Sequence, residues 1–242
     1  MIQPKTIAYC TILVALIVIP DGISGGTETS EQADTDISKR CRIAVAEWAE
    51  YVSDPKNIED PTDSSFESHM KNRYFHAIMD LGVPALESLI GQMKEGNRTP
   101  MFLLELAFQR ISKRVIKLSP SEFARIGGGR GAFIKWWEKD RAKIGEEFAE
   151  CYEQWKPLSE GEEKLQAYYR LRGLGVLAMP YAIEKIRDGD NDLLDTIDFW
   201  TDKAPEKAFS EHKGEPVSRK DFYLTWWEEN KEHWLAKPLR SK

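Results

Sequence analysis

Leu81-Gly82-Val83-Pro84-Ala85-Leu86-Glu87-Ser88-Leu89-Ile90 decides the fold, because it reads as the turn and second arm of a helical hairpin and because the chain writes it twice. Gly82 stands where a left-handed helix cap costs least, and Pro84 where a first helical turn tolerates a missing donor. The second writing is Leu174-Gly175-Val176-Leu177-Ala178-Met179-Pro180-Tyr181-Ala182-Ile183. From the turn glycines onward the two segments align without a gap to Gly96 and Gly189, since 175 − 82 and 189 − 96 both give 93. Leu86 meets Met179, Ile90 meets Ile183, Met93 meets Ile186, Lys94 meets Arg187 and Glu95 meets Asp188. Apolar matches apolar, and charge matches like charge.

Downstream, Leu104 meets Ile197 and Ala107 meets Trp200; then Trp136-Trp137-Glu138 returns as Trp226-Trp227-Glu228, where 226 − 136 gives 90. One three-residue gap reconciles the two registers. Around the tryptophans Phe133 meets Tyr223, Ile134 meets Leu224 and Ile144 meets Trp234, so a whole helical face recurs. The segment at Trp155 with Ser159-Glu160-Gly161-Glu162 mirrors Trp48 and the capping box Ser64-Ser65-Phe66-Glu67. Helical units that recur stack side by side and bury a shared core. The expected fold is therefore all-α, a short α-solenoid of two duplicated helical units over 36–145 and 146–242, the second packed on the first.

The individual helices follow from apolar spacing and caps. The first is expected from Asp36 to about Val52, with Ile37, Cys41, Val45, Trp48 and Val52 on one face. The Ser64 box opens a second, whose stripe is Phe66, Met70, Tyr74, Ala77, Ile78 and Leu81. A third carries Leu86, Leu89, Ile90 and Met93 to Gly96, and Thr99-Pro100 starts a fourth through Leu103, Leu106 and Ile111. Ser119-Pro120-Ser121-Glu122 begins a short helical turn, and the glycines from 127 to 131 break it before the helix bearing Phe133, Trp136 and Trp137. Adjacent helix positions point about 100° apart, so one tryptophan of each pair is expected to pack inward while the other leans on the adjacent layer. No stretch alternates with period two long enough to argue for a strand.

The strings at Gly82 and Gly175 resemble the turn and second helix of HEAT-type repeats, whose units show a glycine turn, an alanine, a proline and a leucine at this spacing. The second copy has its proline at Pro180, whereas the first has Glu87 there and its proline earlier. The unit is also similar to HEAT-like modules of exported bacterial proteins, over most of residues 64 to 240. This resemblance implies a binding or scaffolding role in which a helical surface holds a protein or peptide.

The N-terminus is read as a signal peptide over 1–25: Lys5, an apolar run from Ile7 to Ile19, then Pro20-Asp21-Gly22-Ile23-Ser24-Gly25. The run is shorter than the ~20 residues a spanning helix needs, so membrane association is expected only if the segment stays uncleaved. The mature chain would then be secreted or periplasmic. Residues 26–35 read as a disordered polar tail. The formal charge of −6 is the same with or without residues 1–25, which contain one Lys and one Asp. An acidic balance disfavours a nucleic-acid partner. Cys41 and Cys151 remain after maturation, and an exported chain can oxidise such a pair, so a bridge and two buried thiols both stay open.

No set of residues reads as catalytic, no metal site is expected, and no cofactor is implied. Asp188-Gly189-Asp190-Asn191-Asp192 suggests calcium, but Leu193 and Lys203 stand where an EF-hand loop needs its glycine and its bidentate glutamate. A helix-to-helix turn capped by Asp192 is the expected use. His69, His76, His212 and His233 include no pair at the four-residue step of a helical zinc site. The glycines at 127–131 could cradle an anion beside Arg130, but no strand precedes them and no Gly-Lys-Ser/Thr follows, so a flexible linker is expected. The residues a ligand would meet are expected to be Arg125, Arg130, Trp137 and Trp227. Gly82, Gly96, Trp136, Trp137, Gly175, Gly189, Trp226 and Trp227 are expected to build the repeat. The expected function is non-enzymatic binding of a protein or peptide; the alternatives are an enzyme with an unrecognised site and a glycan-binding module using exposed tryptophans.

Overall fold

The computed structural model describes residues 27–57, 69–96, 100–116, 119–125 and 128–235. The signal-peptide reading and the Ser64 box lie outside the described residues. Among the described residues the chain is helical throughout and forms no strand, and no helix is long and apolar enough to cross a membrane.

The first helix, α1 (Thr27–Ser53), buries Cys41, Val45 and Trp48. It begins nine residues before Asp36, inside the stretch read from sequence as a disordered tail. Glu28, Glu31, Gln32 and Ala33 are good helix formers. Apolar periodicity carries no trace of such a polar extension. Trp48 donates its indole N–H to the His69 carbonyl at 2.8 Å and packs on Phe75 at 5.1 Å.

The next helix, α2 (Arg73–Met79), is capped by Asn72, whose side chain accepts from the Tyr74 and Phe75 amides at 3.1 and 2.9 Å. This cap starts the helix afresh after a break at 71–72, and the helical phase shifts with it. Phe75 and Ile78 are therefore buried, whereas Ala77, which the stripe drawn from Ser64 turned inward, is exposed.

Gly82 takes φ +64° and delivers the chain into α3 (Ala85–Glu95), which ends at Gly96 with φ +66°. The expected turn at 82–84 is present, closed by the Ala85 amide on the Gly82 carbonyl. Two helices follow, α4 (Met101–Ser112) and the short α5 (Pro120–Arg125). The run of glycines is not a linker: α6 (Gly128–Lys135) starts within it and continues through a π turn at Trp136–Asp140 and a 3₁₀ turn at Arg141–Lys143.

The chain then runs through α7 (Ile144–Trp155), α8 (Glu162–Arg172), a 3₁₀ turn at Val176–Ala178 and α9 (Met179–Arg187). After a 3₁₀ turn at Asn191–Leu193 come α10 (Leu194–Trp200), α11 (Ala204–Glu211) and α12 (Arg219–Trp234).

Packing follows chain order. In the first stretch α1 lies on α2 and α3, α3 on α4, and both α3 and α4 on α6. In the second, α7 lies on α8 and on the turn before α9, α9 on α10 and α12, and α11 on α10 and α12. One continuous apolar core runs from Cys41 to Trp227. Both tryptophans of each pair are buried, at 3% and 5% for Trp136 and Trp137 and 8% and 4% for Trp226 and Trp227, against the expectation of one inward. At the first pair, Phe108 takes up both rings from one side, while Arg114 lies over Trp136 and Arg141 over Trp137 at 5.1 and 3.9 Å. A guanidinium can cover an indole face where no apolar layer does.

The acidic loop is a turn, with its cap two residues before the expected place. Asp190, not Asp192, accepts the Asp192 amide at 3.2 Å. Its carboxylate also takes the Lys156 ammonium at 2.6 Å and the Tyr152 hydroxyl at 2.7 Å. Burial would raise its pKa, but these donors outweigh it and hold the carboxyl below the ordinary aspartate value. The Tyr152 phenol is pushed up to about 12 by desolvation and by that same carboxylate. Cys41 is buried and Cys151 half-buried, and both are free thiols. Desolvation raises both, which leaves them poor nucleophiles.

Candidate functional site at the seam of the two helical stretches

The end of α4 meets the turn that precedes α9. Gly175 is pressed on this place so closely that a β-carbon there would stand 2.2 Å from the Ser112 carbonyl oxygen and 2.8 Å from the Arg114 nitrogen. The Val115 amide donates to the Gly173 carbonyl at 2.9 Å. On the other side, α4 faces the end of α10, where Lys113 grips both carboxylate oxygens of Asp202 at 2.7 Å.

Backbone strain gathers at the same point. Lys113, Asp202 and Lys203 have φ of +52°, +51° and +65°, the only residues other than glycine with positive φ among those described. Each costs on the order of 1 kcal/mol or more, and such residues concentrate at functional sites. Lys113 also places a cation at the C-terminal end of α4, where the dipole favours it.

Three cavities open around this ion pair. The first, about 530 Å³, is lined by apolar groups including Phe75, Met79, Trp200 and Trp234, with His76 and His233 among them. The second, about 560 Å³, lies over Arg172, Asp195, Asp198, Lys203 and Arg219. The third, about 780 Å³, runs along Glu105, Gln109, Arg110, Val115, Gly129 and Phe133. Asp202 borders all three, Arg110 and Lys113 the first and third, and Phe199 the second and third. Val115 and Phe199, at 57% and 42% exposure, give the groove apolar contact surface. The Arg172 guanidinium lies 3.7 Å over the Phe199 ring.

Two carboxylates flank the seam in different settings. Asp198 is buried and accepts the Tyr223 hydroxyl at 2.7 Å on both oxygens and Arg219 at 2.6 Å. Tyr223 is pushed well up by desolvation and by this carboxylate; Arg219 is held fully protonated, its hydrogen bonds to Tyr223, Asp195 and Asp198 outweighing its desolvation. Glu105 is half-buried and accepts the Arg130 backbone N–H at the start of α6. Desolvation raises its pKa, and that single amide only partly offsets the rise. Gly129 makes the approach feasible, since a β-carbon there would stand 2.8 Å from Glu105 Oε2. The anion cradle suggested by the glycine run is thus filled from within.

The residues expected to meet a ligand lie elsewhere. Trp137 and Trp227 are core. Arg130 is half-buried and donates to the Lys94 carbonyl at 3.2 Å, and Arg125 is exposed on α5 and lines none of the three cavities. Seven of the eight tryptophans are buried, and Trp234 is half-buried on the wall of the first cavity. Glu105, Arg110, Lys113 and Asp202 escaped the sequence reading. Among the described residues no group of three His, Cys, Asp or Glu side chains is placed to hold a metal ion.

No protein-family model matches the chain, and no curated protein or solved structure matches it either.

Proposed function

We propose that the protein is a non-enzymatic binding module in which two copies of one HEAT-like helical unit form a short solenoid and hold a peptide or protein segment in the groove at their seam. The carrying observation is the meeting of three cavities at the strained Lys113–Asp202 pair, with Val115 and Phe199 exposed beside it. A groove that combines apolar side chains with converging charged groups suits an extended chain.

The duplicated reading has support in contacts as well as in sequence. Lys94 pairs with Glu138 at 2.5 Å, and at the aligned positions Arg187 pairs with Glu228. Arg130 donates to the Lys94 carbonyl at 3.2 Å, and Lys220, at its aligned position, donates to the Arg187 carbonyl at 3.2 Å. The turn glycines Gly82 and Gly175 share positive φ, as do Gly96 and Gly189. In this reading residues 36–145 and 146–242 are the two units, and the N-terminal segment directs the chain out of the cytoplasm.

Selection of peptides from a displayed random library on the mature protein tests the groove. Selected peptides should lose binding at least tenfold on Phe199→Glu, with an unchanged helical circular dichroism spectrum. Phe199 is exposed, so the substitution blocks the groove without opening the core. Peptides indifferent to Phe199→Glu and to Val115→Glu would place the binding surface elsewhere.

A further inference from the structure

In the second unit a carboxylate, a guanidinium and a phenol form one cluster: Arg219 bridges Asp198 at 2.6 Å and Asp195 at 3.0 Å, and lies 3.2 Å from the Tyr223 hydroxyl. The first unit keeps the carboxylate and lacks the other two. Glu105 aligns with Asp198 at the offset of 93, while Gly129 and Phe133 align with Arg219 and Tyr223 at the offset of 90. Glu105 retains the Arg130 amide, and among the described residues no cation pairs with it. Its surroundings are open, because it lines the cavity of about 780 Å³. Of the three cations that share this cavity, Lys113 is held by Asp202 and Arg114 by Glu147, each at 2.7 Å, while Arg110 is exposed.

We propose that this cavity takes a cationic side chain of the bound peptide, foremost arginine, whose guanidinium sits on Glu105 as Arg219 sits on Asp198. A planar fork matches a carboxylate better than a point charge does, and the methylene stem of an arginine would lie along Phe133 and the exposed Val115. A half-buried carboxylate without a counter-ion gains more from an incoming cation than a solvated one does, since the desolvation has already been met in folding. This inference rests on the reading of the seam as a peptide groove and of the two units as copies.

The test uses a peptide with a central arginine between valines, and its norleucine and lysine counterparts, titrated calorimetrically into the mature protein. Agmatine, a free guanidinium, is added separately while the ¹³C resonance of the Glu105 carboxyl is followed. The arginine peptide should bind at least tenfold tighter than the norleucine peptide, with lysine between them. That advantage should vanish in Glu105→Gln, which keeps the side-chain shape. It should vanish too in Gln109→Arg, which supplies a guanidinium from one helical turn away on the exposed face of α4. Both variants should keep the wild-type circular dichroism spectrum. Equal binding of arginine and norleucine peptides, or an arginine advantage that survives Glu105→Gln, overturns the inference and leaves the peptide groove standing. An agmatine-dependent Glu105 shift with no peptide bound sustains the cation site and sinks the groove. If neither probe binds, both fall.

Discussion

Gly175 and Gly189 do different work, and their neighbours show why. Gly175 combines a φ of +77° with a β-carbon position 2.2 Å from the Ser112 carbonyl oxygen, a contact no side chain survives without parting the two helical stretches. Gly189 has a φ of +108° and nothing within 4 Å of its β-carbon position. Alanine at Gly189 should therefore cost only the conformational penalty, roughly 1–2 kcal/mol, whereas Gly175→Ala should cost at least ~3 kcal/mol as the seam gives way. Urea denaturation of the two variants checks the ranking; equal losses would mean that the seam is looser than described. Both glycines were legible in sequence as cap positions. Glu105 was within reach too, because Leu104/Ile197 and Ala107/Trp200 bracket it opposite Asp198. The glycine run read as a linker, whereas it lets Glu105 reach the start of α6. Lys113, Asp202 and Lys203 carried no signal, since nothing about a lysine or an aspartate announces a left-handed backbone.

At the level of elements, hydrophobic spacing located the helices that pack and failed where polar capping set the phase. The stripe Leu86, Leu89, Ile90 and Met93 is buried throughout, because α3 runs unbroken from Ala85 to its left-handed end at Gly96. On α2 the Asn72 cap intervenes, which replaces Ala77 by Phe75 in the core. The end of α12 makes a further link across the molecule: the Val83 amide donates to the His233 carbonyl at 3.1 Å, and a β-carbon on Gly82 would stand 2.6 Å from the His233 ring. Burial holds the His233 imidazole below its ordinary value of 6.5, with Asp80 offsetting only part of the shift. A depressed histidine contributes stability that is complete above the unfolded value and is lost as pH falls from there through the folded one. Stability should thus decline below about pH 6.5 more steeply in the wild type than in His233→Gln. Parallel denaturation curves from pH 7.5 to 5 for both proteins would show that His233 is not desolvated in the folded state.

For the molecule as a whole, one apolar core runs through both helical stretches, so the seam is part of the fold rather than a flexible joint. The all-helical architecture was legible because apolar residues recur at three- and four-residue steps between caps; the groove was not, because it arises only where the end of α4, the end of α10 and the turn at Gly175 converge. From Lys113 to Asp202 those segments span 89 residues of sequence, and no local pattern joins them. The central claim is that this convergence is the binding surface. Hydrogen–deuterium exchange of the protein, with and without a peptide selected on it, tests that claim most directly. Protection should concentrate at 105–116 and 199–206, with α1, α7 and residues 207–211 of α11 unchanged. Protection confined to those latter helices, with 105–116 and 199–206 exchanging as in the free protein, would contradict it.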